Sequence, residues 1–282
     1  MKRKLSAWVG IVALSTAVSI LPSMSNGQTA PRMGFGYANA IPIPVDDSAT
    51  KAIVGALFKP VGPGPFPAVV YMSGCSGLSG PTEMMLERMV IDHFLAKGLA
   101  TLIVDPFTPR NEPQGICSSL ANVNEKTDAQ IQYAIRGGND AVASVKVLKA
   151  MAEIDPRRVF LMGFSYGATS SLFATDVKRT GARDAQVAGV VAFYPYCYDN
   201  VVPSRPTLVL MGDKDDWMSL GMCQAVKSDS NFDVVVYPDA FHGFAAPRGQ
   251  PIDFLGHHIV FDAKAMVDAE QRVDAFMTTQ TK

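Results

Sequence analysis

The segment of this chain best suited to covalent chemistry is Gly163-Phe164-Ser165-Tyr166-Gly167. A serine hydroxyl is a weak nucleophile until a base takes its proton, so a serine used this way must sit where a histidine can reach it. The apolar run Val159 to Met162 precedes the segment and a helical pattern beginning at Ala168 follows it. The Gly-x-Ser-x-Gly pattern therefore falls at a sharp strand-to-helix turn, where glycines leave room for close backbone approach and the serine is exposed at a helix N-terminus.

An elbow of this kind takes its acid and then its base from further along the chain. The downstream histidines are His242, His257 and His258. His242 lies in Tyr237-Pro238-Asp239-Ala240-Phe241-His242-Gly243-Phe244, just beyond the last predicted strand, where a side chain reaches the carboxyl edge of a sheet. His257 and His258 precede the final helix and read as solvent-facing or locally packed, and His93, upstream of the serine, reads as structural. The acid must accept the second imidazole N–H, fixing the tautomer and stabilising the imidazolium. Gly212-Asp213-Lys214-Asp215-Asp216-Trp217 offers three carboxylates at one strand end, and spacing alone leaves Asp213, Asp215 and Asp216 equivalent, at least two of them being solvated or capping charges.

Short continuous apolar runs must position these residues. They occur at Phe66 to Met72, Leu99 to Val104, Val159 to Met162, Val187 to Tyr194, Thr207 to Met211 and Asp233 to Tyr237, after a looser strand at Ala52 to Phe58. Runs of this length suit strands buried on both faces of a parallel sheet. Between them helices are predicted over Thr82 to Lys97, stopped by Gly98, over Ala129 to Ala152, interrupted at Gly137-Gly138, and over Ala168 to Lys178, with a last helix at Asp262 to Thr278. Strand and helix alternation of this kind specifies an α/β fold with a mostly parallel sheet covered on both faces. The turn-rich stretch Pro106 to Ala129 is long for a connection and is expected to form the pocket rim, where substrate identity is decided.

The 282 residues, 48% hydrophobic and 18% charged, supply one sizeable core. Met1-Lys2-Arg3-Lys4 followed by an apolar run to Leu21 reads as a signal peptide over residues 1–25, and export to the periplasm or medium is expected. The run is short for a membrane span, so no stable insertion is expected after cleavage. Residues 26–50, with Ile41-Pro42-Ile43-Pro44, read as an extended arm that lies over the domain or leads into an edge strand, and residues 51–282 as the catalytic domain. Losing residues 1–25 moves the net charge from −1 to −4. A mildly acidic surface without a basic block excludes a nucleic-acid footprint and leaves small neutral or apolar molecules as partners. Cys75, Cys117, Cys197 and Cys223 make an even set in an exported chain, which favours two disulfides, and no Cys-x-x-Cys suggests zinc. Of the three possible pairings, Cys75 with Cys117 and Cys197 with Cys223 is preferred, because each pair sits in loops that follow successive predicted strands.

The elbow Gly163 to Ala168, the loop Gly212 to Trp217 with Cys223, and Tyr237 to Phe244 together resemble the dienelactone hydrolase family of α/β-hydrolases, from about Lys51 to the C-terminus. The resemblance implies an α/β-hydrolase fold and cleavage of a carboxylic ester or lactone with no metal or organic cofactor. The family's Gly-x-x-Asp pattern selects Asp215 and its His-x-Phe pattern selects His242 as partners of Ser165. Met72-Ser73-Gly74-Cys75-Ser76-Gly77-Leu78 resembles the loop whose backbone amide supplies half of an oxyanion hole, implying the amides of Cys75 and Tyr166 as donors. The best-known members use a cysteine nucleophile and hold a substrate carboxylate with arginines, whereas this chain has Ser165 and no arginine directly after His242-Gly243-Phe244. Arg110 resembles a position in exported relatives and is a candidate carboxylate anchor, set against a salt bridge within its own loop. Phe107 and Trp217 are candidate pocket walls, set against ordinary packing. Two other readings stand beside this one: a peptidase of related fold, which would call for a cap or propeller, and a silent periplasmic binding domain, which would call for a missing triad member.

Overall fold

A computed structural model describes residues 40–179, 185–198, 201–227 and 231–281; the predicted leader at 1–25 and the arm up to residue 39 lie outside the described residues. The apolar runs become strands β2 (Ala52–Phe58), β3 (Phe66–Met72), β4 (Ala100–Asp105), β5 (Ile154–Phe164), β6 (Gly189–Phe193), β7 (Thr207–Gly212) and β8 (Phe232–Tyr237). With β1 (Ala40–Pro44) they form an eight-stranded sheet ordered β1-β2-β4-β3-β5-β6-β7-β8. From β4 to β8 every pairing is parallel, and β1 and β2 are antiparallel additions at one edge. The Ile41-Pro42-Ile43-Pro44 run is thus an edge strand, the place where residues lacking an N–H are tolerated.

Helices α1 (Pro81–Ala96), α2 (Asp128–Lys149), α3 (Tyr166–Ala174) and α5 (Ala263–Gln280) cover the sheet, and a short α4 (Leu220–Gln224) carries Cys223. Two apolar clusters form the core, one built around Val70, Leu161 and Leu172 and the other around Val69, Phe160 and Phe94. Alternate residues of β3 and β5 fall into opposite clusters, as expected for a sheet buried on both sides. This is the α/β-hydrolase architecture.

Two expectations change. Helix α2 runs unbroken through Gly137-Gly138, where a Cβ at Gly137 would overlap Ser170 and one at Gly138 would press on Phe173. The glycines let α2 lie close against α3 and do not end the helix. Helix α3 begins at Tyr166, directly after the serine, and stops at Ala174, short of Lys178. Beyond it Asp176 bridges to Pro203, and its carboxylate accepts the amides of Lys178 and Val202.

The stretch between β4 and α2 holds three short 3-10 turns, at Thr108–Arg110, Cys117–Leu120 and Val123–Glu125. A hairpin absent from the sequence reading, β9 (Ile252–Phe254) and β10 (His257–Ile259), turns at Leu255-Gly256, both with positive φ. All four cysteines are paired as preferred, Cys75 with Cys117 and Cys197 with Cys223. No helix among the described residues is long and apolar enough to cross a membrane.

Candidate active site

Ser165 sits between β5 and α3 with φ 53° and ψ −116°, a conformation that L side chains rarely adopt and that persists only where the surroundings enforce it. A Cβ at Gly163 would overlap the Gly167 carbonyl group, and one at Gly167 would overlap the Met72 carbonyl. The two glycines therefore allow the turn to close and α3 to start against the end of β3.

Ser165 Oγ lies 3.1 Å from His242 Nε2, and His242 Nδ1 lies 2.9 Å from Asp215 Oδ2. The other carboxylate oxygen of Asp215 accepts the backbone amides of Trp217 and Met218, at 3.0 and 2.8 Å, so the group is fixed from both sides. Its neighbours are engaged elsewhere. Asp213 accepts the Asp239 amide, tying the acid loop to the histidine loop, while Asp216 accepts the His258 amide and meets its ring. Ser165 and His242 are buried, and so is the side chain of Asp215. An imidazole so placed can accept the serine proton through Nε2 while its Nδ1–H donates to the carboxylate.

The amide of Ser165 donates to the Phe193 carbonyl, but Tyr166 is the first residue of α3, where an N–H has no intrahelical acceptor. The loop after β3 approaches from the other side: a Cβ at Gly74 would stand 3.9 Å from Ser165 Cβ. Cys75 follows at the wall of the cavity that opens onto Ser165.

That cavity, roughly 270 Å³, is lined by Ser165, His242, Cys75, Cys117, Tyr71, Tyr194, Trp217, Glu83, Arg248 and the hairpin residues Ile252 and Phe254, among others. Trp217 belongs to it as expected, its ring 5.0 Å from that of His242 and its indole N–H donating to Leu120 O at 2.9 Å. Tyr194 packs edge-on to the other side of His242 at 4.7 Å. Burial pushes the Tyr194 hydroxyl well above the usual tyrosine range, against the opposing charge of Arg248.

Two candidate substrate contacts are corrected. Arg110 is buried and fully engaged: Nε donates to Asp47, the two terminal nitrogens to the two oxygens of Asp140, and one of them also to Pro106 O. Its ionic partners come from the arm end and from α2, so it is neither a substrate anchor nor a salt bridge within its loop. Burial raises Asp140 to about 6 despite this pairing. Phe107 is buried against Tyr166 and does not line the cavity.

Sequence reasoning missed Arg248. It lies in the same loop as His242, after Ala245-Ala246-Pro247, and its buried Nε has no hydrogen-bond partner among the described residues. Its place in the histidine loop was the available signal. Of the remaining histidines, His93 pairs with Asp274, and His257 and His258 sit on β10.

The model of the dienelactone hydrolase family matches residues 53–281. A Bradyrhizobium protein named probable 2-oxo-3-(5-oxofuran-2-ylidene)propanoate lactonase is 26% identical over 214 residues, covering 67% of this chain and 77% of its own length. Among solved structures, a dienelactone hydrolase-like promiscuous phosphotriesterase from metagenomic libraries superposes with a TM-score of 0.62 at 18% identity, covering 86% of this chain and 98% of its own. Esterase 2 of Thermogutta terrifontis gives a TM-score of 0.61 at 16% identity, covering 89% and 97% respectively.

Proposed function

The chain belongs to the dienelactone hydrolase family, and from that premise we propose that it hydrolyses carboxylic esters or lactones through an acyl-enzyme on Ser165. The observation that carries the reading is the continuous relay from Ser165 Oγ through His242 to Asp215. Ser165 attacks the carbonyl carbon as His242 Nε2 takes its proton, and the amides of Cys75 and Tyr166 donate to the oxyanion that develops. His242 then gives the proton to the departing alkoxide. In the second half-reaction water attacks the acyl-enzyme with His242 again as base, and Ser165 is released. Asp215 accepts the Nδ1–H of His242 and so holds the imidazole in the tautomer that presents Nε2 to the serine.

The substrate class follows from the cavity. Apart from Ser165 and His242, its polar lining residues are Arg248, Glu83, Ser76, Thr82 and two tyrosines, and Glu83 already accepts a hydrogen bond from Ser76 Oγ at 2.6 Å, which leaves Arg248 as its one cation. Arg248 is thus the group for an acidic substituent, as on a lactone or ester bearing a carboxylate, and the name of the Bradyrhizobium relative describes such a lactone. Two disulfides and the basic, apolar N-terminus support an exported enzyme with a leader at 1–25 and one catalytic domain.

The test is hydrolysis of a panel of short-chain nitrophenyl esters and small lactones by the oxidised protein and by Ser165→Ala, His242→Ala and Asp215→Asn. Activity in the parent lost in all three variants is expected. An active Ser165→Ala would overturn the nucleophile assignment, and a folded parent inactive on the whole panel would favour the silent binding domain.

A further inference from the structure

The β9–β10 hairpin folds over the mouth of the Ser165 cavity, giving Ile252, Phe254 and Ile259 to its wall. Its second strand carries His257, held from three directions. Nδ1 is 3.1 Å from the carbonyl oxygen of Asp216, and Nε2 is 2.8 Å from the carbonyl oxygen of Ala121. The ring stacks on the Trp217 indole, with centroids 4.7 Å apart and planes within 7°. Carbonyl oxygens only accept, and a neutral imidazole has a single N–H, so a neutral ring would turn a lone pair toward one of the two carbonyls. Only the imidazolium donates to both. A cation over an indole face is also favourable.

We propose that His257 is a proton-dependent positioning residue: as imidazolium it fastens the hairpin, the loop that bears Asp215 and the pocket rim to one another, and so holds Trp217 against His242. The rim is gripped through consecutive carbonyls, Leu120 by the Trp217 indole N–H and Ala121 by His257. Loss of the proton surrenders one of the two carbonyl contacts and loosens the wall on the side where substrate enters, without touching the relay itself.

The charged groups nearest the ring come from the acid loop and the hairpin. Asp216 Oδ1 lies 3.7 Å from His257 Nδ1. Asp216 also meets His258 Nδ1 at 2.7 Å, and Asp253 meets His258 Nε2 at 3.4 Å. The hydrogen bond that His258 donates to Asp216, together with the charge of Asp253, raises His258 above the usual histidine range. Partial burial works to raise Asp216, but its bonds to His258 and the charges of both imidazoles hold it low. Beyond Trp217 stands His242, and the rim brings Glu125 and Lys126 after Ala121.

The inference rests on the proposed reaction at Ser165, and its test has an arm independent of activity. Imidazole ¹⁵N shifts report protonation of His257 in the oxidised protein without the leader at 1–25, and exchange of the indole N–H of Trp217, the remaining tryptophan once Trp8 leaves with that leader, reports the grip on the rim. Across the window of histidine titration, about pH 5 to 8, the indole N–H is expected to be protected while His257 is charged and to exchange faster once it is neutral. In parallel, KM for a nitrophenyl ester rises about threefold to tenfold through the same titration, the range of one net hydrogen bond, while kcat, whose pH profile reports the base His242, follows the same course in the parent and in His257→Phe. His257→Phe, which keeps the stacking and loses both donors, shows the high KM at every pH and no titration, and His257→Gln falls between. Indole protection unchanged through the His257 titration, or a KM profile shared by the parent and His257→Phe, would overturn the inference. Loss of ester activity alone would count against the reaction and leave the exchange result to decide.

Discussion

Cys75 and Cys117 are joined by a disulfide, and both residues face the cavity that opens onto Ser165. The bond ties the loop after β3 to the rim, and the Ile116 amide reinforces it by donating to Cys75 O at 2.7 Å. The backbone amide proposed to meet the oxyanion therefore belongs to a residue covalently held to the pocket rim.

Replacing Cys75 and Cys117 by serine is expected to cost about 2–4 kcal/mol of stability. In the protein that remains folded it also lowers kcat, by up to about 10²-fold, toward the cost of losing one oxyanion donor. Serine at Cys197 and Cys223, a pair outside the cavity wall, is expected to cost comparable stability while leaving kcat within a few-fold. Denaturation curves with kcat measured on both variants separate the two roles.

Arg248→Met is expected to lower kcat/KM for esters and lactones that carry a carboxylate by about 10–100-fold, the range for a hydrogen bond to a charged group. Neutral esters of similar size should change little, and the parent's preference for acidic substrates should weaken as salt is raised. Equal losses on both substrate classes would place Arg248 in a structural role.

Glu87 on α1 is buried, and neither carboxylate oxygen has a hydrogen-bond partner among the described residues. Burial, with the charges of Glu83 and Asp105, raises it from 4.5 to about 9. A carboxyl raised in the folded state binds its proton more tightly there than in the unfolded chain. Its contribution to stability is therefore complete below the unfolded value and is lost as pH rises toward about 9. Glu87→Gln, which mimics the protonated form, should raise the melting temperature at pH 9 and make little difference near pH 4.5. Melting curves for parent and variant across that range check the sign.

The elbow, the parallel sheet and the histidine that faces Ser165 were legible because each has a local signature: Gly163 and Gly167 around Ser165, continuous apolar runs, and a histidine beyond the last strand of the sheet. Asp215 was not separable from Asp213 and Asp216 by spacing, since all three stand at one strand end. The structure distinguishes them by the amides of Trp217 and Met218, which hold Asp215 toward His242. Arg110 was misread for a related reason: Asp47 and Asp140, which lie far from it in sequence, claim it as a partner, and local sequence carries no sign of them. Gly137-Gly138 was read as a helix break because local propensity carries no information about Ser170 and Phe173 on the facing helix. The β9–β10 hairpin escaped notice because its strands, Ile252–Phe254 and His257–Ile259, are too short to show a period.

The most direct test of the central claim is the mass of the intact protein and of its Ser165 peptide after brief exposure to an activated aryl phosphonate, which a serine nucleophile attacks and cannot readily release. A single adduct on Ser165, absent in Ser165→Ala and slowed by about 10³-fold or more in His242→Ala, is the predicted result, given what loss of the base costs in such relays. No adduct on the folded, oxidised protein, or an adduct on another residue with Ser165 unmodified, would contradict the account.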